Sequence, residues 1–131
     1  RLRAALMLLL LDTQIFLWFL ADSRRLTQRA RRLNQQAERV FVSSASIWEC
    51  CIKIGLRRLD ADPAALVAGI DASGFYPLAI SPRHALAISS LPALHKDPFD
   101  RMLIAQAITE GMVLLTADRK LEGYSALVRR T

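Results

Sequence analysis

Apolar and polar positions alternate in blocks along the chain. Residues 6–11 are uniformly apolar, which is the pattern of a strand buried on both faces of a parallel sheet. We expect helices over residues 14–21 and 26–37, the second with arginines and glutamines on its outer face. Residues 40–42 then form a short strand. The first third of the chain therefore predicts a strand, two helices and a second strand.

Helix-start signals organise the rest of the chain. The hydroxyls of residues 43–46 are suited to cap a helix that continues to Ile54 and stops at Gly55. Three further starts place a capping side chain before a proline, at Asp62-Pro63, Ser81-Pro82 and Asp97-Pro98. The helices they predict end near residue 74, cover about 82–90 and run from 98 to about 110, with strands over 76–80 and 112–116. Strands that alternate with helices, without a hairpin signal, predict a three-layer α/β/α fold around a mainly parallel sheet.

Length and composition fit one compact domain. The chain has 131 residues, of which 53% are hydrophobic and 23% charged, with five glycines and five prolines. These values exclude disordered and fibrous classes. We treat residues 1–131 as a single domain in which residues 1–6 are a dispensable extension, because a start at Met7 would place the first strand at the terminus. Polar residues 12–14 interrupt the apolar N-terminal segment, so we expect no membrane span.

The charge balance indicates an anionic partner. Eighteen Lys and Arg residues against twelve Asp and Glu residues give a net charge of +6, and the pI is about 10.1. Such an excess suits nucleic acid. The only two cysteines, Cys50 and Cys51, are neighbours, a poor spacing for a mutual disulfide that also leaves no second pair for a zinc site. A reducing cytoplasm is the expected compartment.

Four acids fall where the predicted topology brings separate segments together. Asp12 directly follows the first strand and Asp118 comes two residues after a later one, so both should emerge at the carboxyl edge of the sheet. Glu49 lies early in the helix after the second strand, and Asp100 lies in the first turn of the last predicted helix. Crowded carboxylates need shared protons or a divalent cation. Ligation by oxygen alone points to Mg²⁺ or Mn²⁺.

Each acid also has a purely structural interpretation. Glu49 stands three residues after Ser46, the spacing of a capping box, and four before Lys53, the spacing of a surface ion pair. Three others suit helix ends and turns: Asp97 as an N-cap, Asp100 as a complement to the helix dipole, and Asp118 as a turn residue. Asp12 is the hardest to explain in this way, because a carboxylate directly after four leucines needs a cation or several donors to offset its desolvation.

The motifs around these acids resemble those of PIN-domain proteins, specifically the bacterial VapC-type toxins. The matching segments are LLLDTQIFLWFLAD, SSASIWECCIKIGL, HKDPFDRMLIAQAI and LLTADRKLEGY, and the resemblance runs from about Met7 to the C-terminus. Four blocks occur in the family's order with the expected acid in each. The resemblance implies that Asp12, Glu49, Asp100 and Asp118 hold Mg²⁺ or Mn²⁺. It makes Thr116 a supporting hydroxyl and Asp97 a peripheral acid.

The resemblance also implies an activity and partners. The expected protein is a metal-dependent endoribonuclease that hydrolyses RNA phosphodiester bonds with a metal-activated water. The family further implies a homodimer and a cognate antitoxin that blocks the site and alone links the complex to operator DNA. Apolar excess over residues 15–20 and 47–54 suits either self-association or the groove of a partner protein. Four basic residues flank the acids and are candidates for holding the RNA backbone, although solvated charge is the commoner role of such residues: Lys96, Arg101, Arg119 and Lys120.

Two other functions remain open. A receiver-like phosphoacceptor domain also carries acids, a Thr and a Lys at the edge of a parallel sheet, but it normally needs an acidic doublet after the first strand. This chain has Asp12, Thr13 and Gln14 there. A non-catalytic nucleic-acid-binding module would use the basic helix over residues 26–37 and treat the acids as caps. Chelation separates such a module from a nuclease, because phosphate contacts persist without Mg²⁺ whereas hydrolysis stops.

Overall fold

Five strands form a sheet at the centre of the protein. The structure is a computed structural model that describes residues 7–93, 96–124 and 128–131, so the predicted extension over residues 1–6 lies outside the described residues. The strands are β1 (Leu8–Leu11), β2 (Arg39–Ser43), β3 (Tyr76–Leu78), β4 (Val113–Thr116) and β5 (Val128–Arg130). They lie in the order β3-β2-β1-β4-β5, and each of these neighbouring pairs is parallel.

Helices cover both faces of this sheet. They are α1 (Thr13–Leu20), α2 (Gln28–Gln36), α3 (Ser44–Gly55), α4 (Pro63–Ala72), α5 (Pro82–Ala87) and α6 (Pro98–Glu110). Leu9 and Leu11 of β1 pack with residues of α1, α2 and α4, whereas Leu10 between them packs with residues of α3 and α6. The predicted three-layer α/β/α fold is therefore confirmed. Within the described segments, no helix has the length and apolar character needed to cross a membrane.

The predicted helix starts agree with the structure. Asp62, Ser81 and Asp97 are the N-caps of α4, α5 and α6, and each precedes a proline in the first turn. Gly111 ends α6 in the left-handed conformation, with φ of 69°. Caps of this kind satisfy backbone groups at the helix ends that have no partner within the helix.

The start of α3 corrects one interpretation of Glu49. Ser43 is the N-cap, and its hydroxyl accepts from the amide of Ala45 at 2.9 Å. Ser46 therefore lies inside the helix and cannot form a capping box with Glu49. Because α3 begins earlier than that box requires, Ser46 and Glu49 are both buried and turned toward α1.

The C-terminal part differs from the sequence prediction. A 3-10 helix (Arg119–Tyr124) and β5 follow β4, although neither was predicted, and β3 ends at Leu78 before the expected end at residue 80. Of the three residues of β5, only Val128 is buried, so the strand has no apolar alternation to identify it. Its position is set by pairing with β4, and the amide of Thr131 continues the ladder to the carbonyl of Thr116 at 2.8 Å. Tertiary pairing therefore defines this strand.

Candidate functional site

Asp12 lies where β1 passes into α1, at the carboxyl edge of the sheet. Its amide donates to the carbonyl of Leu115 at 3.0 Å, so the backbone is still held by the neighbouring strand β4. Its side chain is the N-cap of α1, with Oδ1 accepting from the amide of Ile15 at 2.8 Å. The strand and the helix together fix both the position and the direction of this carboxylate.

Burial dominates the electrostatics of Asp12. The residue is 6% exposed, and Oδ2 accepts from Thr116 Oγ1 at 2.5 Å. Desolvation raises the pKa of Asp12 from 3.8 to about 6, even though the hydrogen bonds from Thr116 and Ile15 lower it. Repulsion from the nearby charges of Asp100 and Glu49 makes a smaller contribution to the same rise in pKa. Asp12 is therefore a costly buried anion that a cation would stabilise.

Glu49 approaches Asp12 from α3 and is held at both carboxylate oxygens. Thr13 Oγ1 donates to Oε1 at 2.8 Å and also lies 2.9 Å from Ser46 Oγ. Lys53 Nζ lies 2.8 Å from Oε2, which confirms the ion pair expected from a spacing of four residues. The hydrogen bond with Glu49 raises the pKa of Lys53. The carboxylate of Glu49 is therefore already partly neutralised by the protein's own ammonium group.

All four predicted acids line a single cavity of about 360 Å³. Asp12 follows β1, Asp118 follows β4, Glu49 comes from α3 and Asp100 from the first turn of α6. Two basic residues, Lys53 and Arg58, line the same cavity. The parallel topology accounts for this convergence, since β1 and β4 are neighbours and end at the same edge of the sheet.

The carboxylates of this cavity are ligands of the type that a divalent metal ion needs. Four carboxylates offer the oxygen ligands that Mg²⁺ and Mn²⁺ prefer. In the described parts of the chain, however, no three Asp, Glu, His or Cys side chains are close enough to hold one ion together. Glu49 is drawn toward Lys53 and Thr13, and like charges hold carboxylates apart. The donor types fit a hard divalent cation, although the ligands do not form a closed cage.

Two further predicted residues act on the acids through hydrogen bonds. Thr116 joins two of the acids, because its hydroxyl donates to Asp12 and accepts from the amide of Asp118 at 2.9 Å. Asp97 caps α6, with Oδ1 accepting from the amides of Phe99 at 2.9 Å and Asp100 at 3.0 Å. Asp97 does not line the cavity, but it fixes the turn of α6 that carries Asp100.

The four basic residues predicted to hold RNA do not line the cavity: Lys96, Arg101, Arg119 and Lys120. Arg101 uses its guanidinium to donate to the carbonyls of Pro92 at 3.0 Å and Ile88 at 3.2 Å. The other three are exposed. Lys53 and Arg58 line the cavity instead. The spacing from Glu49 indicated Lys53, whereas Arg58 depends on a turn that no sequence pattern predicted.

Comparisons with known proteins agree with the fold. The sequence model of the PIN domain matches residues 9–127. A protein named Ribonuclease VapC22 from Mycobacterium tuberculosis is 29% identical over 117 residues, which cover 88% of this chain and 90% of that protein.

Two solved structures are similar in fold. VapBC2 from Rickettsia felis, bound to a DNA fragment from its promoter, has a TM-score of 0.70 at 16% identity and covers 95% of this chain and 98% of that chain. DNA-bound VapBC from Salmonella typhimurium has a TM-score of 0.65 at 18% identity, with coverage of 95% and 97%.

Proposed function

This chain belongs to the PIN-domain family, and we propose that it is a metal-dependent endoribonuclease toxin that hydrolyses phosphodiester bonds of RNA and is neutralised by an antitoxin. The observation that carries the proposal is the convergence of Asp12, Glu49, Asp100 and Asp118 on one cavity at the carboxyl edge of the sheet. A relative similar over most of its length is named a ribonuclease. The basic balance of the chain suits an RNA substrate.

In the proposed mechanism, Asp12, Glu49, Asp100 and Asp118 are the residues that would hold Mg²⁺ or Mn²⁺. A cation held there would supply Lewis-acid chemistry and would lower the pKa of a water molecule for hydrolysis. The protein's contribution is to hold the carboxylates in place. Thr116 orients Asp12 and Thr13 orients Glu49 through the hydrogen bonds described above. A covalent intermediate on a side chain is not required.

The proposed partners are an antitoxin and a second copy of the chain. One protein of similar fold, from Klebsiella pneumoniae, is described as a toxin-antitoxin complex, and two others are named as VapBC bound to DNA. Operator DNA would be reached only through the antitoxin. Three exposed apolar side chains on α3 and its C-cap support self-association: Trp48 at 59%, Ile52 at 42% and Leu56 at 58% exposed. The free thiols of Cys50 and Cys51 suit a reducing cytoplasm as the site of action.

The strand order bears on the receiver-like alternative. The sheet order β3-β2-β1-β4-β5 differs from the 2-1-3-4-5 order of flavodoxin-like receivers. The difference disfavours a phosphoacceptor. A non-catalytic nucleic-acid-binding module is separated from the proposed enzyme by experiment.

The test is cleavage of single-stranded RNA in Mn²⁺ by the wild type, Asp12→Asn and Asp100→Asn. We expect each substitution to reduce cleavage at least 100-fold, on the order expected when an electrostatic interaction with the reacting group is removed, and EDTA to abolish the wild-type activity. Asp71→Asn is the matched control, because Asp71 is exposed on α4 and does not line the cavity. Full cleavage of RNA by the double variant Asp12→Asn, Asp100→Asn would refute the proposed ribonuclease activity. So would a wild type that binds RNA but shows no Mn²⁺-dependent cleavage.

A further inference from the structure

The turn after α3 places an arginine at a position where helices often have glycine. The amide of Arg57 donates to the carbonyl of Ile54 at 3.0 Å, and the amide of Arg58 donates to the carbonyl of Lys53 at 2.8 Å. This pair of bonds is a Schellman motif, whose residue after the cap is left-handed and usually glycine. Here it is Arg57, with φ of 60°. The chain accepts a strained backbone at this position while keeping a long cationic side chain.

This turn lies on the rim of the acidic cavity. Arg58 and Leu59 line that cavity and also a second one of about 470 Å³. Arg57 and Asp60 are among the other residues lining the second cavity. The two cavities share Arg58 and Leu59 and therefore adjoin in one groove, with the four acids in the first cavity and Arg57 and Arg58 on the second. An RNA strand that extends from the acidic cavity into the second cavity would pass these side chains.

The charges of Arg57 and Arg58 are available for a ligand. Both residues are exposed, and across the described residues no ion pair or side-chain hydrogen bond involves either guanidinium. Asp60 lines the same cavity but is not within ion-pair distance of them. Lys53, by contrast, is bound to Glu49 at 2.8 Å. The two arginines are therefore the cations of this groove that remain free to bind phosphate.

We propose that Arg57 and Arg58 form a phosphate-binding subsite that holds single-stranded RNA where it leaves the acidic cavity. The inference rests on the proposed function, and it adds a substrate-positioning element to it. Guanidinium groups bind phosphate oxygens through paired hydrogen bonds. A polyanion that enters a cavity with four carboxylates meets repulsion, and two adjacent cations offset that repulsion. The strained turn places both arginines on the second cavity, which adjoins the cavity lined by the acids.

The test measures binding of a short single-stranded RNA by fluorescence anisotropy in EDTA, over a range of salt concentrations. The variants are Arg57→Gly, Arg58→Ala and the double variant. Arg39→Ala is the matched control, since it removes the same charge at the opposite edge of the sheet, where β2 begins. We expect about threefold to tenfold weaker binding for each single variant, and a salt dependence reduced by about 0.7 in log–log slope for each phosphate that the variant no longer neutralises.

Arg57→Gly excludes misfolding as an explanation, because glycine suits the left-handed position. In Mn²⁺, the double variant should raise KM for RNA cleavage with little change in kcat, as expected of a residue that holds the substrate before and during reaction. Wild-type affinity and salt slope in the double variant would overturn the subsite, even if the wild type cleaves RNA. Binding that depends on both arginines without Mn²⁺-dependent cleavage would support the subsite and refute the proposed enzyme. A wild type that binds no RNA would overturn both.

Discussion

Thr116 and Asp12 are 104 positions apart in the chain, yet the hydroxyl of Thr116 donates to Oδ2 of Asp12 at 2.5 Å. The same hydroxyl accepts from the amide of Asp118 at 2.9 Å. One fully buried side chain therefore connects the ends of the neighbouring strands β1 and β4 at the point where two of the four acids emerge. The position of Asp12 depends on this hydrogen bond as much as on its own backbone.

Replacing Thr116 by valine tests this hydrogen bond. Valine keeps the shape but removes the hydroxyl, so Asp12 loses a donor and the amide of Asp118 loses an acceptor. We expect the free energy of unfolding to fall by about 2 kcal/mol in urea denaturation, the usual cost of removing a hydrogen bond to a buried charged group. Cleavage of RNA in Mn²⁺ should fall at least tenfold.

Thr116→Ser is the control for this substitution, because it retains the hydroxyl and loses only a methyl group. It should keep most of the activity, although the small cavity it leaves costs some stability. Equal activity of the valine and serine variants would show that the hydroxyl does not orient Asp12.

From the raised pKa of Asp12 we expect the stability of the metal-free protein to depend on pH. Its pKa is raised from 3.8 to about 6 by burial, so the folded state binds a proton more tightly than the unfolded chain. The contribution of this group to stability is greatest below pH 3.8 and is lost as the pH rises through about 6. Asp12→Asn removes this dependence.

The measurement is urea unfolding in EDTA at two pH values. Relative to the wild type, Asp12→Asn should gain about 2 kcal/mol in stability between pH 4.5 and pH 7.5. Asp71→Asn should show no such gain, because Asp71 is exposed. If the difference in unfolding free energy between Asp12→Asn and the wild type does not change with pH, the raised pKa of the buried Asp12 is contradicted.

The sequence predicted which acids converge on one cavity better than it predicted which basic residues line that cavity. Asp12 was identifiable because a carboxylate after four leucines has few structural explanations, and the parallel topology then brought the other acids to the same edge. Arg101 shows the limit of that reasoning, since its guanidinium binds two backbone carbonyls that are distant in the sequence. Arg58 reaches the cavity only because the turn at Arg57 is left-handed. No pattern of apolar residues indicates such a turn.

From the ion pair between Lys53 and Glu49 we expect this pair to be coupled to metal binding. Lys53→Met leaves the charge of Glu49 without its ammonium partner. The Lys53 side chain is 48% exposed in this ion pair. We expect the metal-free protein to lose about 0.5 kcal/mol, as is usual for a partly exposed pair on a helix. Mn²⁺ should then raise Tm more in the variant than in the wild type, since a bound cation would offset the added repulsion.

Differential scanning calorimetry with EDTA and with Mn²⁺ measures this coupling. Lys120→Met is the control, because Lys120 is exposed and does not line the cavity. Lys53→Arg should behave like the wild type. The same Mn²⁺-induced rise in Tm for Lys53→Met and Lys120→Met would show that Lys53 does not balance the acids.

We expect substitutions of Arg57 and Gly111, at the ends of two helices, to change the free energy of unfolding in opposite directions. Both residues have a left-handed backbone, with φ of 60° at Arg57 and 69° at Gly111. Only the second position is occupied by glycine, the residue that this conformation favours. Arg57→Gly should raise the free energy of unfolding by about 1 kcal/mol, and Gly111→Ala should lower it by about the same amount, because a Cβ is disfavoured at positive φ. Apart from the two chain neighbours of Gly111, no residue that the structure describes has an atom within 4 Å of a Cβ placed there, so the loss would come from the backbone. Urea denaturation that shows Arg57→Gly to be less stable than the wild type would mean that the Arg57 side chain stabilises the fold, and the strain at this turn would no longer indicate a role in binding.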